Sequence, residues 1–367
     1  MTEFSAGERA HMTRALALAA RGLYTTTPNP RVGCVAVRDG VVIGEGFHLR
    51  PGTAHAEVNA LNDARARGYD PRGATLFVTL EPCNHHGRTP PCVDAIITAG
   101  VARIVAAMSD PNPEAAHGAA RLRAAGIDVA FDLRAEDARE LNLGFVSRVT
   151  RGRPWVRAKI AASLDGRTAL SSGESQWITA TQARADGHAW RARACAILTG
   201  IGTVLQDDPQ LNVRAIATPR QPLRVIVDRH GQTPASARVL AEGNVLIITA
   251  GERNPEWPEA IEVVPLPDAE GRVDLPAMLR LLGDRGINEL HVEAGARLNS
   301  ALLDAHLLDE LLLYLAPSLV GDPARGMFER ALPLASLSRR TRLVWHSVER
   351  IGEDLRLLAR ITEGDRQ

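Results

Sequence analysis

The sequence predicts two α/β domains, on three observations. Short apolar runs alternate with amphipathic stretches along nearly the whole chain, the pattern of strands and helices in succession. The length of 367 residues gives about two domains at roughly 150 residues each. Residues 147–154, Ser147-Arg148-Val149-Thr150-Arg151-Gly152-Arg153-Pro154, are polar, basic and Pro/Gly-containing after an amphipathic helix, which reads as a linker. The expected domains are therefore 1–149 and 150–367.

In the first domain a helix is expected over residues 5–21, then strands at 32–37 and 41–47 joined by the turn pair Asp39-Gly40. A helix follows from about His55 to a glycine stop at Gly68, then a strand at 75–80. Pro90-Pro91 opens a helix that closes near Gly100. A strand at 102–107, a helix at 119–125, a strand at 127–129 and a helix at 135–149 complete a mixed sheet of about five strands between helices. The second domain reads as a strand at 155–161 and a helix at 181–194 with Thr179 as a cap candidate. Strands at 196–199, 223–227, 245–249 and 261–264 come next, then a helix at 275–282, a strand at 289–292 and a helix at 297–303. Strands at 310–315, 342–350 and 355–361 end the chain, so this sheet is expected to be mixed as well. There is no internal repeat.

Composition excludes several classes. The 43 basic and 43 acidic side chains cancel, so no global field holds a polyanion or an anionic membrane surface. A tRNA- or DNA-editing enzyme is disfavoured on that ground. No apolar stretch approaches the ~18 residues of a spanning helix. The N-terminal Met1-Thr2-Glu3-Phe4-Ser5 lacks the order of a signal peptide, so a cytoplasmic protein is expected. Of the 43 basic residues only Lys159 is lysine. Either it survived by accident or a compact ammonium is needed there.

The four cysteines are too few for a disulfide framework. Cys34 and Cys195 lie in apolar runs and read as small buried hydrophobes. Cys83 and Cys92 are surrounded by Pro, His and Gly instead. With His55-Ala56-Glu57 at a helix start, they offer one imidazole and two thiolates, three of the four positions of a catalytic zinc site. Such a site lowers the pKa of a bound water to about 7, and Glu57 stands close enough to move protons. His-x-Glu followed by Pro-Cys and a second Cys is the zinc-deaminase signature, here with eight residues between the cysteines instead of two. In the second domain the dinucleotide fingerprint is absent: Gly200-Ile201-Gly202 lacks the third glycine, Leu205 standing there. Residues 291–298, His291-Val292-Glu293-Ala294-Gly295-Ala296-Arg297-Leu298, read equally as an ordinary strand–helix turn or as a pyrophosphate cradle at a helix N-terminus.

The segment Glu81-Pro82-Cys83-Asn84-His85-His86-Gly87-Arg88-Thr89-Pro90-Pro91-Cys92 resembles the metal loop of the bifunctional riboflavin-biosynthesis pyrimidine deaminase/reductase family. Pro28-Asn29-Pro30-Arg31-Val32-Gly33 and Gly46-Phe47-His48 resemble it too. So do Lys159 to Arg167, Gly173 to Thr179, Asp207 to Arg214 and Glu293 to Ala301. The resemblance runs over about residues 6–360. It implies a cytidine-deaminase-like α/β/α sandwich followed by a dihydrofolate-reductase-like α/β domain. It implies zinc on His55, Cys83 and Cys92, Glu57 as proton shuttle, and Asn29, His48 and His85 on the substrate. His86 fits the family pattern less strictly and is expected to face solvent.

In the second domain the resemblance implies NADPH contacts from Ala161, Trp177, Thr203, Asp207 and the turn Gly295, Ala296, Arg297, Leu298, Asn299, Ser300 and Ala301. Ser175, Arg191, Leu211, Arg214 and Glu293 would meet the substrate, the two arginines clamping a phosphate. Lys159 falls at the family's active-site lysine. Two positions depart from the family: the turn is Glu-Ala-Gly-Ala where more glycine is usual, and Arg229 stands where Ser is common. Arg229 either meets the 2′-phosphate of NADPH or points outward. The implied activity is zinc-dependent deamination of 2,5-diamino-6-(5-phosphoribosylamino)pyrimidin-4-one, then NADPH-dependent reduction of the ribose to give 5-amino-6-(5-phosphoribitylamino)uracil. A homo-oligomer, dimer or tetramer, is expected. The alternatives are a deaminase of an unphosphorylated base with a mere binding module behind it, and a zinc-stabilised nucleotide sensor.

Overall fold

The computed structural model describes residues 3–330 and 333–362. Met1 and Thr2 of the N-terminal stretch, and residues 331–332 and 363–367 of the second expected domain, lie outside the described residues. The chain divides into two compact units between Gly152 and Arg153.

The first unit opens with α1 (Ala6–Ala20), started by a reciprocal cap: Ser5 Oγ accepts from the Glu8 N–H while the Glu8 carboxylate accepts from the Ser5 N–H. Its inward face is Met12, Ala15 and Ala19. Strands β1 (Gly33–Arg38) and β2 (Val41–Phe47) form a hairpin over Asp39 and Gly40, both at positive φ. Then follow α2 (Ala56–Ala66), β3 (Thr75–Val78), α3 (Cys92–Thr98), β4 (Arg103–Ala106), α4 (Gly118–Ala124) and β5 (Asp128–Ala130). The sheet order is β2-β1-β3-β4-β5, antiparallel at the hairpin side and parallel from β3 onward.

Glycines bring the helices close. A Cβ on Gly33 would lie 2.0 Å from the Ala15 carbonyl oxygen, and one on Gly46 would lie 2.4 Å from that of Ala56. Gly33 and Gly46 point to opposite faces, since Gly46 pairs with Cys34. So α1 and α2 cover opposite faces of the hairpin, and the N-terminus of α2 is pressed against β2. The helix expected over 135–149 is two, α5 (Ala135–Leu141) and α6 (Leu143–Arg151). Asn142 breaks it, because its buried amide accepts from the Arg31 N–H (2.8 Å) and donates to the Arg31 carbonyl (3.0 Å), pinning the loop before β1.

The second unit contains β6 (Trp155–Ser163), β7 (Arg167–Ala169), α7 (Thr181–Arg193), β8 (Ala196–Gly200), α8 (Ile201–Asp207), β9 (Leu223–Val227), β10 (Val245–Thr249) and β11 (Glu262–Pro265). It closes with α9 (Leu275–Asp284), β12 (Glu289–Val292), α10 (Ala296–Asp304), β13 (Glu310–Ala316), β14 (Arg325–Gly326), β15 (Leu343–Ile351) and β16 (Asp354–Ile361). Among the described residues nine strands form one sheet in the order β11-β10-β9-β8-β12-β6-β13-β16-β15, parallel from β11 to β13 and antiparallel at β16 and β15. Both units are α/β with mixed sheets, as expected. Two local expectations fail. Thr179 does not cap α7: Ala180 is the N-cap residue, and its N–H donates to the Asp354 carboxylate at 2.7 Å. The strand expected to end at residue 199 runs on to Gly200 as β8, and Ile201-Gly202 start α8, a helix not expected from the sequence.

The sheet of the second unit has two unlike faces. Val156, Ala158, Ile160 and Ala162 of β6 enter an apolar core with Leu290, Val292, Leu311 and Leu313. The alternate face carries Arg157, which is almost fully buried and bridges Glu289 of β12 (3.0 Å) and Glu310 of β13. Arg193 and Arg360 complete the neutralisation, at 2.7 Å from Glu289 and 2.9 Å from Glu310. The Arg157 guanidinium lies 4.6 Å from the Trp190 ring, so α7 rests on an ionic layer rather than on an oily one.

Candidate active sites

In the first unit His55 is the N-cap residue of α2 and Cys92 the first residue of α3, while Cys83 lies in the loop leaving β3. One ligand atom from each lies within 4.8 Å of the other two. His55 Nδ1 is 3.5 Å from Cys83 Sγ and 3.2 Å from Cys92 Sγ, and the Cys92 N–H donates to Cys83 Sγ at 3.4 Å. On the far side of the ring, His55 Nε2 lies 3.3 Å from Thr89 Oγ1, a partner that leaves Nδ1 facing the sulfurs. The hydrogen bond from Cys92 draws the Cys83 thiol down to about 4 and pushes Cys92 up. Two sulfurs and an imidazole nitrogen, gathered this closely with a ready thiolate among them, fit zinc. Glu57, in the first turn of α2, is buried, and that burial, then Cys83, pushes its carboxyl up to about 7.

His55, Glu57 and Cys83 line a cavity of about 320 Å³, while Cys92 is buried against them. Asn29, His48 and His85 line it too, whereas His86 is exposed and does not. Asn29 Nδ2 donates to His48 Nε2 at 3.0 Å, and His48 Nδ1 donates to the Ala54 carbonyl at 3.3 Å. Burial holds His48 neutral by lowering its pKa, in keeping with that tautomer. Sequence reasoning missed Asp110, Asn112, Phe145 and Arg148, all of which line the cavity. Asp110 is pushed up to about 6 by burial; its N–H donates to Glu81 and its carboxylate accepts from the Asn112 N–H at 2.9 Å. The missed signal was position. Asp110-Pro111-Asn112 leaves the carboxyl end of β4 beside the end of parallel β3, from which Pro82-Cys83 departs.

In the second unit Glu293 and Gly295 follow β12, Thr203 and Asp207 lie in α8 directly after β8, and Lys159 and Ala161 lie on β6, the parallel neighbour of β12. Lys159 and Ala161 are the two partly exposed positions of β6. Burial lowers the Lys159 pKa, opposed by Glu293. Glu293 follows β12 and holds Arg191 of α7 through two bonds, 2.5 Å to Nε and 2.9 Å to Nη2. Leu211 is buried at φ +49, and Arg214 bonds Asn212 Oδ1 at 3.0 Å.

Ser175 Oγ donates to Asp207 at 3.4 Å, with Thr203 one turn earlier in α8. Trp177 is exposed under the Arg184 guanidinium, 4.5 Å away. Gly295 is the N-cap residue of α10, without a side-chain cap; a Cβ there would meet nothing within 4 Å among the described residues, so its backbone faces open space. Ala296, Arg297 and Leu298 form the exposed or half-buried first turn, and Ala301 is exposed. Asn299 and Ser300 point inward instead: Asn299 donates to the Ala294 carbonyl, and Ser300 accepts from the Glu329 N–H at 2.8 Å. Arg229 is exposed after β9 and reaches the Glu270 carbonyl at 3.4 Å.

Comparison with known proteins follows the same division. Residues 6–108 match the cytidine and deoxycytidylate deaminase zinc-binding region, and residues 154–357 match the RibD C-terminal domain. The riboflavin biosynthesis protein RibD of Escherichia coli K12 is 47% identical, over 94% of this chain and 97% of that protein. Its Haemophilus influenzae counterpart is 45% identical, over 97% and 98%. Among solved structures, Acinetobacter baumannii RibD (form 1) superposes with a TM-score of 0.89 at 41% identity, covering 97% of this chain and 99% of that one. The diaminohydroxyphosphoribosylaminopyrimidine deaminase/5-amino-6-(5-phosphoribosylamino)uracil reductase of Thermotoga maritima gives 0.89 at 37%, with the same coverage. Zinc-site donors in one unit, a largely parallel sheet in the other and 47% identity over 94% of the chain agree: the chain belongs to the RibD family of bifunctional riboflavin-biosynthesis proteins.

Proposed function

We propose that the chain performs two consecutive steps on one phosphoribosylated pyrimidine: deamination of 2,5-diamino-6-(5-phosphoribosylamino)pyrimidin-4-one by the domain at 1–149, then reduction of the ribose with NADPH by the domain at 150–367. The observation that carries the reading is the gathering of His55, Cys83 and Cys92 at a cavity that His55, Cys83 and buried Glu57 line. Zinc on the three donors would supply a water whose pKa falls to about 7. Glu57 would pass the water's first proton to the ring nitrogen and then its second, from the added hydroxyl, to the departing ammonia, a task suited to a carboxyl near 7. Asn29 and the neutral His48 orient the base. Arg88 and Arg148 line the same cavity with charge of the sign a phosphate needs.

In the second unit NADPH provides the hydride. The first turn of α10 with Trp177, Thr203 and Asp207 fits its binding, and Ala161 leaves room beside Lys159. As C1 of the ribose takes the hydride, the Lys159 ammonium gives a proton to the oxygen that is released. Arg191 and Arg214 bind the 5-phosphate. The test is NADPH absorbance together with ammonia release on the diamino substrate, using wild type and Glu57→Gln. Wild type oxidises NADPH and the variant does neither; ammonia release without NADPH oxidation in wild type refutes the bifunctional reading.

A homo-oligomer belongs to the same proposal. Edge strand β15 is exposed on both faces, with Val344, Trp345 and Val348 each more than half exposed, and a second copy brings an identical edge to pair with it. Val348→Lys shifts the mass measured by light scattering toward monomer; an unchanged mass refutes the assignment of that edge. A cytoplasmic location fits too, since Cys83 and Cys92 lie close enough to be at risk of oxidation outside a reducing compartment.

A further inference from the structure

Arg191 and Arg214 come from different elements, a helix and a loop, yet they converge on one residue between them. The Asn212 carbonyl accepts from Arg191 Nη1 at 3.1 Å, and Asn212 Oδ1 accepts from Arg214 Nη1 at 3.0 Å. The amide cannot turn freely, because its Nδ2 donates to Glu242 at 3.2 Å. Nor can the backbone slide: the neighbouring Val213 exchanges two hydrogen bonds with the Gln221 side chain, 2.8 and 2.9 Å. Asn212 itself is buried, and Leu211 before it turns the chain at φ +49.

Two like charges do not settle beside one residue unless something holds them. Glu293 occupies the Nε–Nη2 side of Arg191, and the Asn212 carbonyl takes one Nη1 hydrogen. That leaves Arg191 one hydrogen on each terminal nitrogen. Lys159 and Arg191 both act on Glu293, and Arg214 also feels its charge. Three cations therefore face one carboxylate, an excess that suits a dianion.

We propose that Asn212 is a positioning residue that sets the spacing and direction of the Arg191 and Arg214 guanidiniums, so that the pair selects a substrate bearing a phosphate. This rests on the reductase reading above. Asn212 touches no substrate; it acts through the two arginines. Its main-chain carbonyl orients one and its side chain the other, so truncating the side chain releases Arg214 alone.

The experiment uses the full-length protein, with Asn212→Ala and Glu242→Ala as variants. Two quantities are read: inhibition of NADPH oxidation by inorganic phosphate, and KM for the phosphorylated substrate against the same compound without its phosphate. Losing one hydrogen bond to a charged group predicts a roughly tenfold rise in both the phosphate inhibition constant and the KM of the phosphorylated substrate for Asn212→Ala. The dephosphorylated compound shows no such rise. Glu242→Ala, which leaves residue 212 intact, moves the same values in the same direction by less. An unchanged KM and kcat for the dephosphorylated compound report that the second unit of each variant is folded.

Equal losses with and without the phosphate overturn the proposal, because a merely structural role predicts them. An unchanged phosphate inhibition constant overturns it as well. Direct titration of inorganic phosphate by calorimetry separates this from the parent reading. Phosphate affinity that falls with Asn212→Ala, in a protein that oxidises no NADPH, sinks the reductase assignment and keeps the anion site.

Discussion

Replacing Glu57 by Gln separates proton transfer from metal binding. Gln has nearly the volume of Glu, and Glu57 is 3% exposed in the first turn of α2, so the variant fills the same space. The three gathered ligand atoms belong to His55, Cys83 and Cys92, none of them to residue 57, so bound zinc stays at one per chain. What disappears is a group that can both accept and return a proton. Burial, opposed by His55, brings Glu57 to about 7, close to the operating pH at which a proton shuttle is most effective. Positioned acid–base catalysis contributes about 10²- to 10⁴-fold, or roughly 3–5 kcal/mol at 1.36 kcal/mol per decade. The assay is steady-state ammonia release, with zinc measured on the same sample by mass spectrometry. NADPH oxidation from already deaminated substrate serves as a control on the second unit. The reasoning fails if the zinc-loaded variant keeps more than about a tenth of wild-type kcat, since the loss expected is at least a hundredfold. It fails differently if zinc departs, for then Glu57 is a ligand.

Two further outcomes follow from the second unit. Arg157→Met leaves Glu289 and Glu310 each one arginine short, although Arg193 and Arg360 remain; the cost lies toward the lower end of the ~3–5 kcal/mol of a broken buried pair. Urea unfolding followed by Trp fluorescence measures it, and an unshifted midpoint contradicts the ionic layer's role. His188 is held near 4 by burial and by Arg191, Arg214 and Lys159, against Glu293. The unfolded chain takes up that proton near 6.5 and the folded one does not. The contribution to stability is complete above pH 6.5 and is lost as pH falls from there toward 4. His188→Gln therefore loses less stability than wild type between pH 7.5 and 5, and parallel losses refute the environment assigned to His188.

The metal centre was legible because its residue types are scarce. Only four cysteines occur, two of them outside apolar runs, and His55 and Cys92 each sit where a helix begins. Asp110 hid in the opposite circumstance: acids are common, and only the parallel pairing of β3 with β4 brings its loop beside Cys83. Strand limits such as those of β2, β9, β10 and β12 were readable because apolar runs end at turn residues. The break at Asn142 was not, since the apolar periodicity continues across it and the cause lies at Arg31, 111 positions away. Thr179 looked like a cap for the same reason: the acceptor that serves α7 is Asp354, distant in sequence.

The residues proposed for the reductase were hardest to see from chemistry alone, and the structure explains why. In a chain with 42 arginines no single guanidinium stands out. What distinguishes Arg191 is not its type but its company: Glu293 fixes one edge, Asn212 another, and α7 is itself anchored by Trp190 over buried Arg157. A clamp for an anion needs charge and also needs rigidity, because a flexible cation loses in ordering entropy what it gains in attraction. The ionic layer beneath α7 supplies that rigidity with long-range partners, and periodicity carries no trace of it. The zinc site works the other way, since there the donors themselves carry the chemistry and short-range spacing betrays them. Sites built from rare ligands can be read along the chain, whereas sites built from common charges held in place by other charges emerge only when the sheet is assembled.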